Sequence, residues 1–386
     1  MENFVFYNPT RIVFGKGQIG KLKDLIPNAA KILICYGGGS IKRNGVYEQV
    51  MDALAGWDVF EFGGIEPNPD FDTLIKAVEL GRKNDVDYIL AVGGGSVIDG
   101  SKFVASAIPY RDGDPWDIVR GNKVLKDGDV LPIGTVLTLP ATGSEMNGVS
   151  VISRRATQEK LAFRSEAIFP TFSILDPMTT YSLPEEQVRN GIVDAYMHVL
   201  EQYATYPVDG RIQDRYAEGI LLTLHEIGEG AQKTPPDYDN RANLMWAATN
   251  ALNKLINKGV PEDFATHMIG HELTAFYGLA HAESLAVVMP YLLWYQRQTK
   301  AAKLTQYARR VLGLSGEGEA LIREALEEMS AFFNRLKMPT KLTDYKIDPY
   351  EAAELVQKRF EQRGTVLGEH KDLTPEKVAA ILKMSQ

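Results

Sequence analysis

Three apolar runs in the first half of the chain, "KILICYGG" (31–38), "VDYILAVGGG" (86–95) and "PIGTVLTLP" (132–140), each end in glycine, serine, threonine or proline. Between them, "GVYEQVMDALAG" and "DFDTLIKAVELGRKND" repeat apolar residues three and four apart. Runs apolar at every position read as strands buried on both faces, and the spacing between them reads as helix. Strands alternating with helices predict a parallel sheet with crossover helices, whose ligands lie beyond the carboxyl ends of the strands. "AFRSEAIFPTFSILDP" (162–177) reads as further strand material finishing that domain.

The texture changes after Pro177. "SLPEEQ" (182–187) has the form of a capping box, and nearly every later segment reads as helix with short breaks. The expected fold is therefore α/β followed by all-α. Residues 1–180 form a parallel-sheet dinucleotide-binding domain, and residues 181–386 form a helical metal-binding domain. A length of 386 residues suits two domains. No run approaches the roughly 20 apolar residues of a membrane span. A net charge of −8 gives no general attraction to nucleic acid or anionic lipid, so an anionic ligand must rely on local groups; the expected partner is a small molecule. The start "MENFVFYNPTRIVFGKG" carries no basic–apolar leader, and Cys35 is the single cysteine. Cytoplasm is the expected compartment.

Three stretches compete for a nucleotide. "GKGQIG" (15–20) matches G-x-G-x-x-G, but the next strand ends in "YGGGSIKR" without the acid that would hold an adenosine ribose, so it reads as a structural turn. "GGGSVIDGSK" (93–102) follows a buried strand and opens a helix, an arrangement that suits a pyrophosphate. "TLPATGSEMN" (138–147) adds Thr138, Thr142 and Ser144 at a third strand end. The "GGGS" of 93–96 also occurs at 37–40. There Gly37, Gly38, Gly39 and Ser40 precede Lys42 and Arg43, and an acid-free loop with nearby cations favours a 2′-phosphate over a 2′-hydroxyl.

"NGIVDAYMHVLEQ" sets Asp194 and His198 four residues apart, on one helix face. "ATHMIGHEL" repeats the spacing with His267 and His271, and His281 follows in "LAHAES". Three of the six histidines thus fall within fifteen residues. Such donors from two helices can converge on one divalent cation and leave a position for substrate. Spacing leaves the fourth ligand open between His271 and His281, the other being a supporting or proton-relay group. His225 and His370 lack any partner pattern. A nucleotide domain followed by a metal domain predicts hydride transfer to or from a metal-polarised carbonyl.

"FVFYNPTRIVFG", "GGIEPNP", "AVGGGSVIDGSK", "LPATGSE", "GIVDAYMHVLEQY", "HMIGHEL" and "GLAHAESLAVVMP" together resemble the iron-containing, group III alcohol dehydrogenases, most closely their NADPH-dependent aldehyde reductase and butanol dehydrogenase branch. The likeness runs from about residue 3 to the carboxyl end. It implies a dehydroquinate synthase-like architecture, NADP(H) as cofactor, and small to medium aldehydes or primary alcohols as substrates. It also implies one divalent metal, Fe2+ or Zn2+, on Asp194, His198, His267 and His281, with His271 beside the nicotinamide as a proton relay. Gly94, Gly95, Ser96 and Asp99 match the family's pyrophosphate and nicotinamide-side loop, which makes Asp99 an expected catalytic residue as well. Thr138, Thr142 and Lys160 match contacts along the cofactor, and the expected set takes in Asn68, Leu139 and Ser144 from the same motifs. The amino-terminal segment resembles one that pairs subunits, which implies a homodimer. Two rivals share the scaffold, a lyase of the dehydroquinate synthase type and a non-catalytic nucleotide sensor.

Overall fold

A computed structural model describes all 386 residues. The chain forms two compact units, one of Tyr7–Pro184 with Thr234–Thr249, the other of Met1–Phe6, Glu185–Lys233 and Asn250–Gln386.

The first unit is built on strands β1 (Arg11–Phe14), β2 (Lys31–Tyr36), β3 (Asp58–Phe62), β4 (Tyr88–Gly94), β5 (Ile133–Leu139) and β8 (Phe172–Leu175), a sheet in the order β1-β8-β5-β4-β2-β3. Every pairing in it is parallel. Helices α1 (Leu22–Leu25), α2 (Val46–Ala53), α3 (Phe71–Lys83), α4 (Gly95–Ala107) and α5 (Trp116–Arg120) lie between strands in the chain. The sheet is buried on both faces. Leu33 and Cys35 of β2 join Ile89 and Ala91 of β4 in one core, while Ile32, Ile34, Leu90 and Val92 join the other. This two-sided burial is why these strands read as unbroken apolar runs.

A short antiparallel pair, β6 (Val149–Arg154) and β7 (Glu159–Arg164), lies outside the main sheet. The expected strand material from residue 162 onward is thus divided, its start closing this hairpin and its end forming β8.

From β4 the chain has β2 and β3 on one side and β5 on the other. Ligands of open α/β sheets gather at such a switch point. Tyr36 pairs with Val92, so the glycine loops that follow β2 and β4 leave the sheet side by side.

The second unit contains α6 (Glu185–Tyr203) and α7 (Arg211–Ala231). Helix α8 (Tyr238–Ala251) then lies almost wholly in the sheet unit, where Met245 enters the core, Trp246 packs edge-on against Phe14 at 6.1 Å, and Thr249 donates to Glu145. The chain continues through α9 (Ala265–Tyr277), α10 (His281–Ala286), α11 (Met289–Tyr295), α12 (Ala301–Arg310), α13 (Gly318–Arg335), α14 (Pro349–Arg363) and α15 (Pro375–Lys383). Helix α6 is buried almost continuously from Gly191 to Tyr203, as befits the central helix of a bundle. It packs against α7 and α10, and α10 packs against α9. No helix is long and apolar enough to cross a membrane.

Candidate metal and nucleotide sites

Helix α6 carries Asp194 and His198 one turn apart on one face. His267 lies in the first turn of α9, and His281 is the first residue of α10. Gly278 makes that placement possible. It ends α9 at φ 72°, a left-handed conformation that glycine adopts without strain, and its N–H returns to Thr274 O at 2.9 Å. Two residues later the Ala280 N–H donates to the Glu283 carboxylate at 3.0 Å, and α10 begins at His281.

One donor atom from each of Asp194, His198, His267 and His281 lies within 4.8 Å of the others, and the first three residues are buried. The expected four residues are therefore brought together. His271, the alternative that spacing allowed, lies outside that group, its ring 5.6 Å from that of His281. His225 packs on Phe332 and His370 stacks on Tyr206, both away from the cluster.

Two of the imidazoles are oriented from behind. His198 Nδ1 donates to the Asp194 carbonyl at 2.8 Å, and His267 Nδ1 donates to Glu201 Oε2. Each bond fixes the tautomer that leaves Nε2 as the basic atom, the usual support of metal-bound histidine. Burial pushes His198 down to about 4 against the pull of Asp194, so it stays neutral, as a ligand must be. One carboxylate with three imidazoles fits a divalent transition metal such as iron or zinc.

Glu201 is a member of this site that the sequence reading overlooked. It stands three residues after His198, hence on the same helix face, and that spacing was the available signal.

In the sheet unit the three glycine-rich candidates separate. The turn at 15–20 is already filled by a protein carboxylate, since Gly17 N–H and Gln18 N–H donate to Asp176 Oδ2 at 2.6 and 3.3 Å. Helix α4 begins at Gly95 without a side-chain cap, leaving its first N–H groups facing the switch point. A Cβ at Gly94 would meet Leu139 Cβ at 2.9 Å, and one at Gly95 would meet Thr142 Oγ1 at 2.3 Å. The floor of this cradle is thus β5 with the loop after it, and side-chain-free residues are what let it close. Asn68, at φ 54°, donates its N–H to Ser96 Oγ at 3.3 Å and accepts from Lys160 Nζ at 2.9 Å. Seven of the expected cofactor residues, Asn68, Gly94, Gly95, Ser96, Leu139, Thr142 and Lys160, therefore gather at one helix start, with Thr138 next to Leu139 in β5.

Asp99, expected at the cofactor and in catalysis, also bonds within the protein. Its Oδ1 accepts from Ser144 Oγ at 2.5 Å and its Oδ2 from Val151 N–H at 3.0 Å, which anchors the 140–151 stretch to α4. Burial raises its carboxyl despite the nearby Lys102. Lys102, unremarked in the sequence, donates from its buried ammonium to Ser144, Asn147 and Val149. Burial lowers it to about 8. Together Asp99 and Lys102 hold Ser144 in place.

The loop at 37–40 is open. Gly38 and Ser40 are exposed, and a Cβ at Gly38 or Gly39 would meet nothing within 4 Å. Lys42 is not a free cation: its Nζ bonds Glu61 Oε2 at 2.8 Å and lies over the rings of Tyr36 and Tyr47. Arg43 Nη1 donates to Gly39 O at 3.4 Å. An acid does stand near this loop, but it comes from β3, where Glu61 pairs in register with Ile34.

The sequence profile of iron-containing alcohol dehydrogenases matches residues 9–177, and that of the carboxyl-terminal region of the same family matches residues 189–386. The NADPH-dependent aldehyde reductase YqhD of Escherichia coli is 54% identical over 377 residues, covering 97% of each chain. A probable NADH-dependent butanol dehydrogenase of Bacillus subtilis is 40% identical over 391 residues and covers 100% of both. The crystal structure of E. coli YqhD superposes with a TM-score of 0.97 at 52% identity, covering 100% of this chain and 99% of that one. With both halves of the chain matched and relatives this similar over its full length, the protein belongs to the iron-containing alcohol dehydrogenase family.

Proposed function

We propose that the protein is a metal-dependent, NADPH-linked aldehyde reductase that interconverts small to medium aldehydes and primary alcohols. The convergence of one carboxylate and three imidazoles within 4.8 Å, in a member of this family, carries the reading. Asp194, His198, His267 and His281 would hold Fe2+ or Zn2+. When bound, the metal polarises the carbonyl oxygen and the reduced nicotinamide supplies hydride to the carbonyl carbon.

The chain's own groups do the rest. The N–H groups at the start of α4 and the Gly94–Ser96 turn receive the diphosphate, with Lys160 adding charge. Leu139, Thr138 and Thr142 line the neighbouring strand end. Ser40, Lys42 and Arg43 meet the adenosine ribose, where the open loop leaves a 2′-phosphate room and Arg43 adds charge beside a Lys42 already paired with Glu61. Glu201 holds the His267 tautomer. His271, one turn beyond His267, is the proton relay that returns a proton to the product oxygen.

Exposed Phe4, Val5, Phe6 and Tyr7, together with the edge position of β1, support pairing of two chains into a homodimer. A cytoplasmic enzyme fits a buried, reduced Cys35.

Mixing the protein with NADPH and butanal and following 340 nm absorbance tests the reading. Absorbance should fall, and stripping the metal should stop it. If no aldehyde produced oxidation, a lyase or a nucleotide sensor on this scaffold would take its place.

A further inference from the structure

Behind His267 lies a buried cluster of charges that touches no expected substrate or cofactor group. Lys300, at the start of α12, is 2% exposed. Its Nζ donates to Ala204 O at 2.7 Å, Asp263 Oδ2 at 3.1 Å and Glu369 Oε2 at 2.6 Å. The side chains of Asp263 and Glu369 are each 3% exposed. These acceptors belong to three different segments. Ala204 follows the end of α6, Asp263 precedes α9, and Glu369 lies in the turn between α14 and α15.

The Asp263 tie leads toward the metal residues. Asp263 Oδ1 accepts the Ala265 N–H at 2.8 Å and so fixes the first turn of α9, the turn that holds His267. Glu201, on α6, accepts from the Thr266 N–H and from His267 Nδ1. The carboxyl end of α6 and the amino end of α9 are therefore joined twice, directly through Glu201 and indirectly through Lys300. A structural brace alone could be apolar. A buried ammonium shared by two acids and a backbone carbonyl on three segments costs desolvation and gives direction in return.

We propose that Lys300 is a positioning residue of the metal site. By clamping Ala204, Asp263 and Glu369 it sets the first turn of α9 against α6, and with it the direction in which His267 Nε2 meets Asp194, His198 and His281. The inference rests on the metal reading above, and the experiment separates the two.

Full-length protein loaded with Zn2+ is titrated with a chelator, and a Co2+-loaded sample supplies the visible absorption spectrum, both well below the unfolding temperature of each variant. Lys300→Met should weaken Zn2+ binding by about ten- to a hundredfold, the range seen when supporting partners of metal ligands are removed, and should shift the Co2+ bands. If that variant does not fold, Lys300→Met with Glu369→Gln removes one acid along with the cation and carries the same comparison. A loss below tenfold with unshifted Co2+ bands overturns the proposal. Wild-type protein that fails to bind Zn2+ or Co2+ overturns the metal reading itself.

Discussion

The tetrapeptide Gly-Gly-Gly-Ser occurs at 37–40 and at 93–96, and the two copies have little in common beyond their letters. Both follow inner strands of one parallel sheet, side by side. The copy at 93–96 runs straight into a thirteen-residue helix and is pressed against Leu139, Thr142 and Val97 so closely that no Cβ fits. The copy at 37–40 passes into a three-residue 3-10 turn, with open space around Gly38 and Gly39. Glycine serves close approach in one loop and backbone freedom in the other, where Gly39 sits at φ 83°. A closed loop suits the diphosphate that every nicotinamide dinucleotide shares. An open one suits the ribose, where NADPH and NADH differ.

The largest effect should come from the closed copy. Gly95→Ala places a methyl 2.3 Å from Thr142 Oγ1 and should raise the KM for NADPH about a hundredfold, roughly 2.7 kcal/mol, in steady-state kinetics. A variant with a normal KM would show that the loop yields and would erase the contrast. Next in size, Ser40→Asp should move the NADPH to NADH preference toward NADH by about tenfold, because a carboxylate repels the 2′-phosphate and accepts from a 2′-hydroxyl. An unmoved ratio of kcat/KM values would remove Ser40 from cofactor choice. Glu61→Gln should sharpen NADPH preference by a smaller margin, about two- to fivefold, since it withdraws a negative charge and releases Lys42. That gain should fade at high salt, because Lys42 is exposed. Gly38→Ala, the counterpart of the first substitution, should leave KM within about twofold.

How much of this could be read beforehand follows from the range of the interactions. The inner strands were legible because two-sided burial makes every residue apolar, and the Asp194/His198 pair was legible because i, i+4 spacing is a local geometric signal, whereas spacing left His271 and His281 as alternatives and only the family resemblance favoured His281. Lys42 shows where local reading stops. Its cationic character is plain in "SIKR", but its partner Glu61 belongs to another strand and meets it only through the pairing of β2 with β3. Asp99 shows the same limit. A carboxylate in a cofactor loop invites a catalytic role, and nothing in the motif reveals that its oxygens also accept from Ser144 and Val151, some fifty residues on. Lys300 and Glu369 are 69 positions apart, beyond any motif. Helix α8 gave no warning because it presents no single apolar face.

That helix has a consequence for synthesis. Arg241 of α8 donates to Thr180 O, Met245 fills the core and Thr249 reaches Glu145, so the sheet unit draws on residues up to 249. A ribosome that has just released residue 184 has not yet made them. At about 5–20 residues per second, several seconds pass before the missing piece emerges, with α6 and α7 made in the meantime. The nascent amino-terminal half therefore waits with part of its apolar surface uncovered. A chain cut at residue 180 would keep that surface exposed for good, and should precipitate where the full-length protein stays in solution.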